Sequence, residues 1–253
     1  MDEDRNNLAY WYPILADTGV RTPKTEIIET GCYMLELLDG KEPEGFDYLL
    51  GGLLNAADLV GGFPIFLRTG HTSGKHQWKY TCYVERPDDL GQHVADLVEA
   101  SEFASIFGMP CETWAVREFL KLRSSFTAYE GMPISVEVRS FIHDHQIVCR
   151  HNYWTHTALE SGNPRDADWN RKWLEMSYMI GMFSSQIRPD VQCVADAFDG
   201  DWSVDFALAD DGTAYAIDMA LAKDSFHWPG CPHNIWNADK MNSQYGHLKL
   251  SSD

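Results

Sequence analysis

The sequence has no apolar run of about 18 residues, so no helix is expected to span a membrane. It has no CxxC pair. Its six cysteines, Cys32, Cys82, Cys111, Cys149, Cys193 and Cys231, stand singly, which suggests neither a zinc ribbon nor a disulfide framework. A reducing cytoplasm is the simpler setting. Positive charge is scarce: 20 Lys and Arg against 38 Asp and Glu leave a net charge of -18. A broad duplex-binding surface needs a basic patch, so nucleic acid is not expected as a partner. A small polyphosphate site needs only a few focused cations and stays compatible with the acidity. The start, "MDEDRNNLAYWYP", is acidic and lacks an apolar h-region, so no secretory signal is expected. No Ser-His-Asp or Cys-His signature points to a protein nucleophile.

What is present is enough apolar material, 44% of 253 residues, for one large domain or two small lobes. Residues 8–16 read as a short apolar helix around Pro13, and "RTPKTEII" (21–28) as a strand entered through Pro23. Residues 42–62 read as a helical stretch interrupted by glycines, and residues 1–62 as a small leading lobe. Residues 64–84 read as strand, polar Gly-rich loop, strand. In 88–106, Leu90, Val94, Leu97, Val98 and Ile106 recur at helical spacing. "TWAVREFLKL" (113–122) is a strand running into a loop, and 131–154 a hairpin. Asn163 and Pro164 suit the start of a helix over 164–186, with Trp169, Trp173, Met176, Ile180 and Phe183 on its apolar face. Helices among antiparallel hairpins argue for an α+β architecture.

Two hairpins carry charge in pairs. In "SVDFALADDGTAYAIDMALAKD" (203–224), a two-residue turn at Asp211-Gly212 places Leu208 opposite Tyr215, Phe206 opposite Ile217, and Asp205 opposite Asp218. One face is then bulky, while the other carries Ala207, Ala209, Ala214 and Ala216 beside the two acids. Like charges directly opposite are destabilising. A Mg²⁺ ion would relieve the repulsion by taking their oxygens. The spacing also fits two exposed aspartates at a sheet edge. In "SVEVRSFIHDHQIVCRHNY" (135–153), a turn centred on Asp144-His145 places Arg139 opposite Arg150, with Glu137 and Phe141 on Arg139's face. Facing guanidiniums suit a phosphate between them, or two surface positions balancing an acidic protein. His143 and His145 flank that turn and are expected in solvent.

The loop "GHTSGKH" (70–76) is not a P-loop. Three residues, not four, separate its glycines, and His76 stands where Ser or Thr should follow the lysine. A loop that covers phosphates with backbone N–H groups and Lys75 fits it better.

The order of these stretches resembles the ATP-grasp superfamily, especially its small phage and bacterial members. It is more distantly similar to the eukaryotic cell-division ATP-grasp proteins that help assemble a translation initiation factor. "GVRTPKTEII", "FPIFLRTGHTSGKHQWKYTCYV", "AVREFLKL", "PISVEVRSFI" and "WSVDFALADDGTAYAIDMA" carry the likeness, across about residues 19–224. The resemblance implies an ATP-grasp fold: two α+β lobes gripping ATP, at residues 63–118 and 119–253, behind a leading lobe at 1–62. It implies that Arg68 and Lys79 touch ATP phosphates and that Lys75 sits in the closing loop. Glu118, Phe119 and Leu120 would line the adenine pocket. Arg139, with Arg150, would meet phosphates, and Asp205 and Asp218 would hold Mg²⁺. The family's metal strand usually ends in an acid, one residue and an asparagine, and here Ala220 occupies that asparagine position. Lys223 and Asp224 follow closely, and Lys223 would reach a phosphate or acyl-phosphate.

The implied activity is ATP-dependent ligation. Mg-ATP phosphorylates a carboxylate, and an amine displaces the phosphate, with a peptide or protein among the candidate acceptors. A cytoplasmic ATP-binding assembly factor without turnover is the alternative. The tail from Phe226, with Trp228, Trp236 and Tyr245, is expected to wall the substrate side and to pack.

Overall fold

The computed structural model describes residues 4–104 and 108–245. Among them, two four-stranded antiparallel sheets dominate. The first has the order β1-β4-β2-β3, from β1 (Thr25–Glu29), β2 (Ile65–Thr69), β3 (Tyr83–Val84) and β4 (Thr113–Glu118). It carries the helices α2 (Phe46–Val60) and α3 (Leu90–Phe103). Leu49, Leu53, Ala56 and Val60 recur at three- and four-residue spacing, so α2 buries one stripe against this sheet. Its glycines do not interrupt it. Gly52 brings the helix close to Ile28, where a Cβ would meet the side chain at 3.7 Å. Ile106, expected on the face of α3, lies outside the described residues.

The second sheet has the order β10-β9-β7-β8, from β7 (Glu137–His143), β8 (Gln146–Asn152), β9 (Trp202–Leu208) and β10 (Ala214–Leu221). A two-stranded ribbon of β5 (Ser124–Ala128) and β6 (Met132–Ser135) stands beside it. One face of this sheet is covered by α5 (Trp169–Gln186) and α6 (Arg188–Ala197), with α1 (Leu8–Asp17) joining the same core through Leu8, Trp11 and Leu15. Met176, Ile180 and Phe183 are the buried stripe of α5, each side chain contributing about 1.5–3 kcal/mol on burial. The helix α4 (His156–Ser161) precedes α5, and α7 (Ala238–Tyr245) closes the described chain.

Three expectations need correction. Residues 1–62 do not build a core of their own: α1 packs in the core of the second sheet, while β1 and α2 belong to the first. The helix expected from 164 begins at Trp169, because Asn163 sits in the left-handed region just after α4 and Asp168 takes the N-cap position. The strand expected to resume soon after the glycine loop is only Tyr83–Val84. Residues 75–77 form a 3-10 turn instead.

Candidate functional site

The two sheets meet over a cavity of about 340 Å³. One end gathers the apolar side chains of Pro23, Phe66, Trp78, Phe119, Leu120 and Met132, with Glu118, Lys121 and Asp210 also in the lining. Trp78 stacks on Tyr83 at 5.2 Å, and Phe119 packs on both rings. The other end gathers Arg68, Lys75, Arg117, Glu137, Asp205 and Asp218.

The acids come from the β9–β10 hairpin, where Asp205 is the cross-strand partner of Asp218. The route to that pairing differs from the expected one. Ala209 N donates to Thr213 O and Gly212 N to Ala209 O, so three residues, not two, make the loop, with Gly212 at φ 88°. Leu208 therefore faces Ala214, and Phe206 faces Ala216. A bulge at Ile217 then restores the register before Asp218. The alanine floor is corrected with it: Ala216 is buried in the core, and Tyr215 stands opposite Ala207.

The repulsion between the two acids is relieved by guanidiniums. Arg68 Nη1 donates to Asp218 Oδ1 at 2.8 Å, and Arg139 grips Asp205 through Nε at 2.8 Å and Nη2 at 2.7 Å. Burial opposes ionisation of Asp218, but the charge and hydrogen bond of Arg68, with the charges of Lys75 and Arg117, together outweigh it and the pKa is lowered. Burial likewise opposes the Arg139 cation, and the charge and hydrogen bond of Asp205, with Tyr153 and Asp218, together override it to raise the pKa. Asp218 Oδ2 has no hydrogen-bond partner among the described residues, and its side chain is 43% exposed. An ionised oxygen of that kind beside a second carboxylate fits a hard cation such as Mg²⁺.

Lys75 enters from the glycine loop. Gly70 lies so close to the chain start that a Cβ would come within 2.4 Å of Asn7 Oδ1, and Gly74 takes φ 58° to turn into the lysine. Lys75 Nζ sits 3.8 Å from the Tyr153 ring centroid, 4.8 Å from that of Trp154 and 3.8 Å from Glu137 Oε2. Burial would lower its pKa, but Tyr153 and Glu137 prevail and raise it, so it stays charged.

Other expected residues stand elsewhere. Lys79 is exposed in the turn before β3, beside Tyr80, and does not line the cavity. Arg150 is not opposite Arg139. The Asp144-His145 turn forms as expected, with both residues at positive φ, but a bulge at Val148 puts His151 opposite Arg139 and Arg150 opposite Ser140. The Arg150 guanidinium points to the helix side and donates to Ser184 O. Lys223 is 66% exposed in a 3-10 turn after β10, next to Asp224, outside the cavity lining. Glu118, Phe119 and Leu120, at and past the end of β4, do line the cavity, and the Glu118 carboxylate accepts from Lys24 N at 2.7 Å. His143 is bound to Asp201, and His145 Nδ1 lies 2.7 Å from Ala195 O.

Two buried residues of the site have no cavity role in the sequence reading. Arg117 donates to Ile217 O at 2.6 Å and to Thr25 Oγ1 at 3.1 Å, and its Nη2 is buried without a hydrogen-bond partner among the described residues. Burial and the Arg68 charge lower its pKa to about 10, which leaves it a cation at neutral pH. It shares its strand face with Ala115, opposite Phe66, and strand alternation within "TWAVRE" was the available signal. Glu137 accepts from Ser135 Oγ at 2.5 Å and Trp154 Nε1 at 3.1 Å. Its signal was its shared face with Arg139.

Comparison with known proteins gives a family match. A family model described as an ATP-grasp domain, family 3 of its clade, matches residues 59–226. No curated protein sequence matches. Among solved structures, Cdc123 from Schizosaccharomyces pombe is similar with TM-score 0.53 at 14% identity, over 94% of this chain and 90% of that one. Its C-terminally truncated form gives 0.51 at 15%, over 86% and 84%. N5-carboxyaminoimidazole ribonucleotide synthetase from Thermotoga maritima overlaps at 0.44 and 12%, over 85% of this chain and 41% of that one. These likenesses concern the fold alone. Among the described residues, no helix is long and apolar enough to cross a membrane.

Proposed function

Since this chain belongs to the ATP-grasp domain family, we propose that its cavity binds ATP with Mg²⁺. The nucleotide then phosphorylates a carboxylate, and an amine-type nucleophile displaces the phosphate. One observation carries this reading. Arg68, Lys75 and Arg117 converge with Asp205 and Asp218 at one end of a cavity whose other end is aromatic. The adenine lies against Phe66, Trp78, Phe119 and Leu120. The triphosphate lies toward Arg68, Lys75 and Arg117, with Arg139 behind Asp205.

Asp205 and Asp218 are the residues that would hold Mg²⁺, which when bound neutralises charge on the phosphate oxygens. The guanidiniums now paired with these acids would turn part of their hydrogen bonding to phosphate, where planar forks of donors suit the oxygens. Lys75 and its loop would cover the phosphates and keep water from an acyl-phosphate. The acceptor belongs to the class of carboxylates and amines, peptides and proteins included.

Ala220 and the outlying Lys223 favour a second reading, an ATP-binding assembly factor that does not turn over. Nucleotide products separate the two. A ligase releases ADP and phosphate only when a carboxylate and an amine, offered as peptide pools, are both present. An assembly factor binds Mg-ATP and releases neither. Release of AMP would overturn both readings, and failure to bind Mg-ATP would overturn the site itself.

A further inference from the structure

On the face of the second sheet away from α5 and α6, strand alternation brings Cys149 and His151 of β8 to the same side. They stand opposite Phe141 and Arg139 of β7. The segment that follows β10 crosses this face. Its His227 is fully buried and stacks on Phe141, with ring centroids 3.8 Å apart and planes 12° from parallel. Four residues later the chain delivers Cys231. The Cys149 Sγ lies 3.3 Å from His227 Nε2. One ligand atom from each of Cys149, His151, His227 and Cys231 lies within 4.8 Å of all the others.

We propose that Cys149, His151, His227 and Cys231 form a structural zinc site that fastens the segment after the Asp205–Asp218 hairpin to β8. Two sulfurs and two imidazoles are the donor set Zn²⁺ takes in closed tetrahedral sites, where such atoms stand about 3.3–3.8 Å apart. Only a small contraction separates the present cluster from that geometry. Little competes for these donors: His151 Nε2 and His227 Nδ1 are buried without hydrogen-bond partners among the described residues. Imidazole binds a metal in its neutral form and cysteine binds as the thiolate, whose proton a bound Zn²⁺ would displace.

The place of the cluster gives it a role. Phe226, adjacent to His227, accepts from Arg139 Nη1 at 3.3 Å. Trp228 donates from Nε1 to Asn152 O at 3.0 Å, at the end of β8. A metal here would fix the wall behind the arginine that grips Asp205. The cysteines come from positions 82 residues apart, which is why no local spacing in the sequence announces the site.

The test uses the full chain, purified without chelator. Elemental analysis should find about one Zn²⁺ per chain, retained in Cys193→Ser, whose thiol is exposed, and lost in Cys149→Ser and Cys231→Ser. Should those two variants fail to fold, Co²⁺ added to the metal-stripped wild-type chain decides. Visible bands of a tetrahedral ion with a near-ultraviolet thiolate-to-cobalt band would support the site. A Co²⁺ spectrum without the thiolate band, a wild-type chain that takes up neither metal, or a Cys149–Cys231 disulfide by mass would overturn it. None of these readouts depends on ATP binding, so the zinc site and the nucleotide site fail or stand separately.

Discussion

Arg68 and Asp218 pair at 2.8 Å across two sheets that share no strand. The guanidinium is 5% exposed and the carboxylate 43%. One residue before Asp218, the Ile217 carbonyl accepts from Arg117 on the neighbouring strand of the first sheet. The junction of the lobes is thus built from cations that a triphosphate would also attract. On the proposed reading, the carboxylate would compete with phosphate for Arg68 until a metal occupied its own oxygens.

That competition predicts opposite effects of one substitution. In Asp218→Asn, Arg68 is released, so ATP without Mg²⁺ should bind at least as tightly as to the wild type. With Mg²⁺ present, binding should weaken by about tenfold or more, or ~1.4 kcal/mol. Calorimetric titrations in the two conditions check this. An equal loss in both would mean that Asp218 serves only to hold Arg68.

The two hairpins show what the sequence makes legible and what it hides. For β9–β10, the Asp-Gly dipeptide points to a two-residue turn and a three-residue loop forms, but the bulge at Ile217 cancels the one-residue offset. Asp205 still meets Asp218. For β7–β8, the Asp144-His145 turn is the expected one, yet the bulge at Val148 is uncompensated and Arg150 turns to the helix side. A bulge follows from packing across the sheet, and neither Ile217 nor Val148 is marked by a glycine or proline. The fold class, the helix faces and the apolar wall at Phe119 and Leu120 are legible because periodicity and the resemblance carry them. Lys79 is misplaced in the sequence reading because its strand starts later than the pattern suggests. The partnership of Cys149 with Cys231 depends on tertiary structure alone.

A pH dependence follows at the far end of the same sheet. His143 Nδ1 lies 2.7 Å from Asp201 Oδ1, and Asp201 Oδ2 accepts from Trp236 Nε1 at 2.6 Å. The hydrogen bond to Asp201 raises the His143 pKa above its ordinary 6.5. Slight burial opposes the rise, while the charges of Asp201 and Asp144 add to it. Because the folded value is the higher, this contact contributes fully below the unfolded value of 6.5. Its contribution fades as pH rises through the folded value. NMR titration should show His143 titrating above 6.5 in the wild type and returning toward it in Asp201→Asn. Identical titrations in the two proteins would remove Asp201 as the cause.

The pair of Arg139 with Asp205 predicts a stability effect larger than any surface bridge gives. The side chains are 17% and 5% exposed, and both carboxylate oxygens are engaged. Arg139→Met removes the fork and leaves a buried carboxylate beside Asp218, a loss expected to cost about 3–5 kcal/mol. Asp205→Leu in the same chain removes the stranded charge, so the double variant should recover most of that loss. The Tyr153 ring, 4.8 Å from the guanidinium, keeps a favourable contact with Arg139 when Asp205 is replaced, so Asp205→Leu alone should cost less than Arg139→Met. Urea unfolding of the wild type, the two single variants and the double variant gives the coupling energy directly. If Arg139→Met costs under about 1 kcal/mol, the pair behaves as a solvent-screened bridge. The low exposure of Asp205 would then not be the reason it is held by a guanidinium.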